Sequence, residues 1–125
     1  MVINGRHKRW LDFCLKKTEE SGMKDYKHSA ILVKSGRLLG IGINNSKRGI
    51  IFRKVFGLKG FHAEVDVLSK FEPEETNGCI LYVAGVSRLG NILNSKPCKL
   101  CQQVINEYSL KSVYYLDQGE VKKLS

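Results

Sequence analysis

Two short clusters in this 125-residue chain carry side chains of the kind that hold a metal and move protons. One is Cys98-Lys99-Leu100-Cys101, preceded by Pro97; the other, upstream, is His62-Ala63-Glu64. The Cys-x-x-Cys run reads as the start of a helix, where unpaired amides and the helix dipole favour thiolate, the form of cysteine that binds metal. Alone, the pair is a weak signal. Joined to a neutral imidazole from His62, the two thiolates give zinc three protein ligands and leave a fourth position open to water, the arrangement of catalytic rather than structural sites. Glu64 then supplies a carboxylate beside that water without occupying the metal, as a proton shuttle requires. The competing arrangement is a closed structural zinc site in which Cys14, Cys79, His7 or His28 is the fourth ligand. It leaves Glu64 and Pro97 without a purpose and needs a distant ligand. Cys14 and Cys79 lie in apolar patterns and read as buried core residues. His7 lies in a basic run and reads as a solvated side chain, and His28, just ahead of a strand, as a satisfied structural histidine near a rim.

The elements that must position these groups follow from periodicity. Residues 4–21 put Trp10, Phe13 and Cys14 on one helical face, with Gly22 as a terminator. Residues 29–34 and 37–44 read as antiparallel strands joined by a Ser35-Gly36 hairpin turn. Residues 45–60 show no clean period, the mark of a functional loop. A short helix over 62–71 carries Val65, Leu68 and Phe71 at helical spacing and stops before Pro73 and Asn77-Gly78. The near-continuous apolar run 79–86 has the pattern of a strand buried on both faces, which belongs at the sheet centre beside a parallel neighbour. After a polar loop over 87–96 comes a third helix, with Pro97 in its first turn and Cys98, Cys101, Val104, Ile105 and Tyr108 recurring at three and four. Residues 112–116 read as a strand, and Asp117-Gln118-Gly119 as a turn into an antiparallel edge strand over 120–124. This order predicts one α/β domain over residues 1–125, with a mixed five-stranded sheet and helices on both faces.

Composition narrows the class. With 42% hydrophobic and 26% charged residues, the chain has the make-up of a folded domain rather than a disordered segment. No apolar run approaches the roughly 20 residues of a membrane-spanning helix. The basic start leads into no apolar signal segment, which points to a reducing cytoplasm, where four cysteines are metal or catalytic groups rather than disulfides. The net charge of +9 is lopsided: residues 1–60 hold 14 basic and 4 acidic groups, residues 61–125 hold 7 and 8. Between Asp25 and Glu64 there are eight basic residues and no acid, a bias toward phosphate groups or polyanions that competes with the reading of a solvated face.

Phe61-His62-Ala63-Glu64 and Ser95-Lys96-Pro97-Cys98-Lys99-Leu100-Cys101 resemble the zinc-dependent cytidine and deoxycytidylate deaminase superfamily. His28-Ser29-Ala30 entering the first strand and Gly40-Ile41-Gly42-Ile43-Asn44 leaving the second extend the resemblance over nearly the whole chain. It implies a three-layer α/β/α cytidine-deaminase-like fold, bound Zn2+, and hydrolysis of a cytosine base to uracil with release of ammonia. It also implies a homo-oligomer, dimeric or tetrameric. By the same resemblance Asn44 contacts the sugar, Ala30 lines the base pocket, and backbone near Ala63 and Pro97 recognises the ring. Nucleic-acid-editing relatives carry a further helix before a parallel last strand, which this chain lacks. Compact nucleoside deaminases usually have cysteine where His62 stands. In a fold of this kind Lys47, Arg48, Arg53, Lys54 and Lys59 lie at the pocket mouth, which favours a phosphate-bearing substrate, a cytidine or deoxycytidine monophosphate, over a free nucleoside. The alternatives are a polynucleotide cytosine or adenine deaminase, acting on single-stranded DNA, RNA or tRNA, and a non-catalytic zinc-stabilised nucleic-acid-binding module. For a polynucleotide, Phe52 and Phe56 are the loop candidates for base stacking, although packing onto the core is the simpler use of both.

Overall fold

Strands four to nine residues long whose side chains alternate between two apolar faces need cover on both sides, and this chain supplies it with one helix below its sheet and two above. The computed structural model describes residues 5–44 and 62–124. Five strands, β1 (Tyr26–Lys34), β2 (Arg37–Ile43), β3 (Ile80–Ser87), β4 (Ser112–Asp117) and β5 (Glu120–Lys123), form one sheet in the order β2-β1-β3-β4-β5. Only β3 and β4 are parallel. The apolar run at 79–86 is thus the central strand with a parallel neighbour, as its lack of polar alternation requires.

Ile31, Val33, Tyr82, Ala84 and Leu116 face one side, where they pack with Leu11 and Cys14 of α1 (Gly5–Lys17). Ala30, Leu32, Leu81, Val83 and Val113 face the other. There they meet Ala63, Val67 and Leu68 of α2 (Ala63–Leu68) and Ile105 of α3 (Lys99–Ile105). Each of the larger buried side chains contributes on the order of 1.5–3 kcal/mol, so the two half-cores together hold the sandwich. Both hairpins turn on two residues with positive φ: Ser35 (50°) and Gly36 (78°), then Gln118 (53°) and Gly119 (95°). This mirror-image turn matches the right-handed twist of the strands it joins.

Several boundaries differ from the periodicity. α1 stops at Lys17 and tightens into a 3-10 turn over Thr18–Glu20, because the Thr18 hydroxyl donates to the Leu15 carbonyl at 2.6 Å. Ser21, not Gly22, makes the exit in extended backbone. The buried stripe of α1 is His7, Leu11 and Cys14, continued by Thr18, with Trp10 and Phe13 at its margin. His7 is therefore not solvated: its Nδ1 lies 2.7 Å from the Tyr82 hydroxyl, its ring stacks on Tyr114 at 3.9 Å, and burial lowers its pKa. α2 ends at Leu68, and a further 3-10 turn, Pro73–Thr76, follows with a capping box between Glu72 and Glu75. Pro97 stands just ahead of Cys98, the N-cap of α3, so it precedes the helix rather than entering its first turn.

The seat of α2 depends on Gly42. A Cβ there falls 2.4 Å from the Ala63 carbonyl oxygen and 2.6 Å from the Val67 nitrogen, both backbone atoms. Gly42→Ala must push the whole helix off β2. It is expected to cost about 3 kcal/mol, near the upper end for overpacking, and to lower Tm by roughly 10 °C. Gly22→Ala, with open space around the site, is the control that leaves Tm within about 2 °C. Equal Tm values for the two variants by thermal denaturation overturn this account.

Candidate metal centre and active site

His62 is the N-cap residue of α2 and Cys98 the N-cap residue of α3, so the two helices begin side by side. His62 Nδ1 lies 3.2 Å from Cys101 Sγ and 3.8 Å from Cys98 Sγ. One ligand atom from each of the three residues falls within 4.8 Å of the others. The Cys101 amide donates to Cys98 Sγ at 3.5 Å, a helix-start contact of the kind that stabilises a thiolate. Burial lowers the His62 pKa and keeps the imidazole neutral, with a lone pair to give. Burial pushes the Cys101 thiol far up, and the neighbouring Glu64 and Cys98 add to the shift.

Glu64, 6% exposed, turns its carboxyl to the Cys101 sulfur, and burial raises it to about 7. A buried carboxyl and two thiols beside an uncharged imidazole make a place for a cation, and a divalent ion reverses both upward shifts. One nitrogen and two sulfurs converging from two helix starts fit zinc with a position left open. The Glu64 carboxyl touches this group through Cys101 without belonging to it.

The other candidate ligands lie elsewhere. Cys14 is on the α1 side of the sheet, where its sulfur donates to the Ser29 carbonyl at 3.3 Å and meets the Ser29 hydroxyl at 3.0 Å. Burial raises that thiol to about 12. Cys79 is buried just before β3, in the cluster with Leu81 and Val113. His7 is committed to Tyr82 and Tyr114. The metal-capable group of the described residues is thus His62, Cys98 and Cys101, with no protein fourth ligand.

Of the pocket residues expected from resemblance, Ala30 and Ala63 are fully buried in one cluster on the metal side of the sheet, and Pro97 is buried ahead of Cys98. Asn44 uses its amide as a clamp. Its Oδ1 accepts the His28 backbone N–H at 2.9 Å and the Ser21 hydroxyl, and its Nδ2 donates to the Tyr26 carbonyl at 2.8 Å. This clamp holds the start of β1 at Tyr26, four residues before its apolar run begins at Ala30. Lys47, Arg48, Arg53, Lys54 and Lys59, with Phe52 and Phe56, lie outside the described residues.

Three positioning groups escaped the sequence reading. Asp66 Oδ2 accepts the Ile43 amide at 3.0 Å and Lys70 Nζ donates to the Ile41 carbonyl at 2.7 Å, which ties α2 and the residues after it to β2. Ser95 lies in the approach to α3. Its hydroxyl donates to the Val83 and Leu116 carbonyls at 2.9 and 2.8 Å and accepts the Leu116 amide at 3.2 Å. The alternation of Asp66 with Glu64 on a short helix was the available signal for the first; a lone serine or lysine offers none.

Among the described residues, no helix is long and apolar enough to cross a membrane. No curated protein matches the chain by sequence. In fold it is similar to cytidine deaminase from Burkholderia pseudomallei, with a TM-score of 0.66, 23% identity, and coverage of 95% of this chain and 91% of that one. It is similar also to the apo dCMP deaminase from cyanophage S-TIM5, with a TM-score of 0.56, 21% identity, and coverage of 92% and 82%. Cytidine deaminase from Mycobacterium leprae matches with a TM-score of 0.56 and 17% identity over 90% of this chain and 88% of that one. The family model for the cytidine and deoxycytidylate deaminase zinc-binding region matches residues 4–117. With that match spanning strands β1 to β4, His62, Glu64, Cys98 and Cys101, the chain belongs to the cytidine and deoxycytidylate deaminase family and carries its zinc-binding region.

Proposed function

We propose that the protein hydrolyses the exocyclic amine of cytosine in a cytidine or deoxycytidine monophosphate, giving the uracil nucleotide and ammonia. The observation that carries this reading is the Glu64 carboxyl turned to Cys101 beside the three ligands, a placement that a purely structural zinc site does not need. Zinc held by His62, Cys98 and Cys101 supplies Lewis acidity that makes a water acidic at neutral pH. Glu64 accepts that water's proton, passes it to the ring nitrogen as oxygen adds at C4, and delivers a proton to the departing amine. Its burial keeps bulk water out of the transfer.

The preference for a phosphate-bearing substrate rests on charge. Five cations, Lys47, Arg48, Arg53, Lys54 and Lys59, belong to a segment that leaves from Asn44 and returns at His62, two residues of the site. Clustered cations near a pocket supply phosphate affinity and steering. The test is a substrate panel of cytidine, deoxycytidine, their monophosphates, single-stranded DNA, RNA and tRNA, with chromatographic detection of uracil or inosine products. Turnover of a monophosphate with kcat/KM at least about tenfold above the nucleoside supports the reading. Turnover confined to polynucleotides, with a steep dependence on salt, replaces it with the editing reading, and no product from any of them leaves the binding module.

A further inference from the structure

His28 enters the site by a route that its position in the sequence does not reveal. It lies two residues before Ala30 on β1, and side chains two apart on a strand share a face, so its ring is on the α2 and α3 side of the sheet. Its register partner on β3 is Gly85, two residues beyond Val83 on that same face. The imidazole fills the space that a side chain at 85 would take: a Cβ on Gly85 falls 2.4 Å from His28 Cδ2 and 2.5 Å from its Nε2. The ring is half-buried and near enough to His62 for the two to interact electrostatically. Neither ring nitrogen has a hydrogen-bond partner among the described residues, although the backbone is held twice. The His28 N–H donates to Asn44 Oδ1 at 2.9 Å, and its carbonyl accepts the Asn44 amide at 3.2 Å.

A half-buried imidazole seated by a glycine, with its main chain clamped and its nitrogens free, is built to receive something. The Asn44 amide has spent both of its acceptor sites on His28 and Ser21 and one of its two N–H groups on Tyr26, so it has one hydrogen left for a ligand. We propose that the His28 imidazole is a specificity-determining residue of the pocket, hydrogen-bonding the sugar of the cytosine substrate, with Gly85 and Asn44 as the positioning residues that set its ring. The assignment rests on the deaminase reading above and deepens it. Such a contact is made alike in the ground and transition states, so its loss raises KM and spares kcat.

The geometry provides its own test, because Gly85→Ala displaces the ring without altering its chemistry. The atoms it meets are the outer end of a side chain, so the fold can accommodate the methyl group. On whichever cytosine nucleoside or nucleotide the wild-type protein turns over, His28→Ala and Gly85→Ala are each expected to raise KM at least about tenfold. Both should keep kcat within about threefold and zinc content unchanged. The double variant should be no worse than His28→Ala alone, since a methyl at 85 has no ring to displace. The same shift should appear in the calorimetric Kd of the uridine product. His28→Gln, which keeps a donor and an acceptor, should recover part of the loss. Multiplicative effects in the double variant, or an unmoved KM and product Kd in both single variants of an active enzyme, overturn this assignment alone. A wild-type protein inert on every cytosine substrate overturns the deaminase reading and the assignment with it.

Discussion

Glu64→Gln is expected to leave the zinc in place and to lower kcat by at least about a hundredfold, within the range of a hundredfold to ten-thousandfold typical of a general acid-base group. Glutamine keeps the shape of the side chain and its packing at a position that is 6% exposed, so the loss is not one of fold. What disappears is the ability to take a proton and return it. In the proposed mechanism the wild-type carboxyl does this from a buried position beside Cys101, one of the three residues that would hold the zinc. Metal analysis beside single-turnover kinetics separates the two roles. Near-normal turnover in a zinc-replete Glu64→Gln protein makes another group the proton carrier and removes the observation on which the proposed function stands.

Loss of the metal has the second large effect, and it reaches the fold. Cys101→Ala, or exhaustive chelation, is expected to abolish turnover and to lower Tm by roughly 10 °C. An ion that binds only the folded chain stabilises it by about 2.7 kcal/mol at a hundredfold excess over its Kd, and each kcal/mol is worth about 4 °C in a chain of this size. The pH dependence of the metal-free protein has a definite sign. Its Glu64 carboxyl, raised from 4.5 to about 7 by burial, holds a proton more tightly when folded than when unfolded. The folded metal-free chain is therefore most stable where the proton is on in both states, below about pH 4.5, as far as this group is concerned. It loses that contribution as pH rises toward about 7. Zinc cancels the trend by compensating the charge. Denaturation midpoints with and without chelator at pH 5 and pH 7.5 check this, and a gap that narrows with rising pH contradicts it.

The parts of this protein that the sequence shows best are those in which one residue type has one use. His62, Glu64, Cys98 and Cys101 are legible because zinc chemistry restricts both identity and spacing, and the structure brings them to one point. The strands over Ala30–Val33 and Leu81–Ala84 are legible because both sheet faces are covered, which removes polar alternation. His7 was hidden by its basic neighbours, although its spacing of four and seven from Leu11 and Cys14 marks it as a member of the buried stripe. What it stacks on, Tyr114, lies over a hundred residues away, and such a partner leaves no local trace. Asn44 was legible as part of a motif, yet its hydrogen bonds to Ser21, Tyr26 and His28 depend on β1 and β2 being paired first. The His28 ring and Gly85 likewise meet only through the register of β1 on β3.

β2 is an outer strand, and an unpaired strand offers a row of amides and carbonyls to any other chain that can extend the sheet. Here two of those outward groups are already taken: the Ile43 amide by Asp66 of α2 and the Ile41 carbonyl by Lys70 just beyond it. The helix that begins at the metal ligand His62 therefore also shields the sheet's edge, next to the partly exposed Leu38 and Leu39. A chain deprived of zinc loosens that helix where it starts, and what comes free is an apolar, sticky border. Metal depletion is therefore expected to promote strand-to-strand association as well as inactivity, which light scattering of the chelated protein would show.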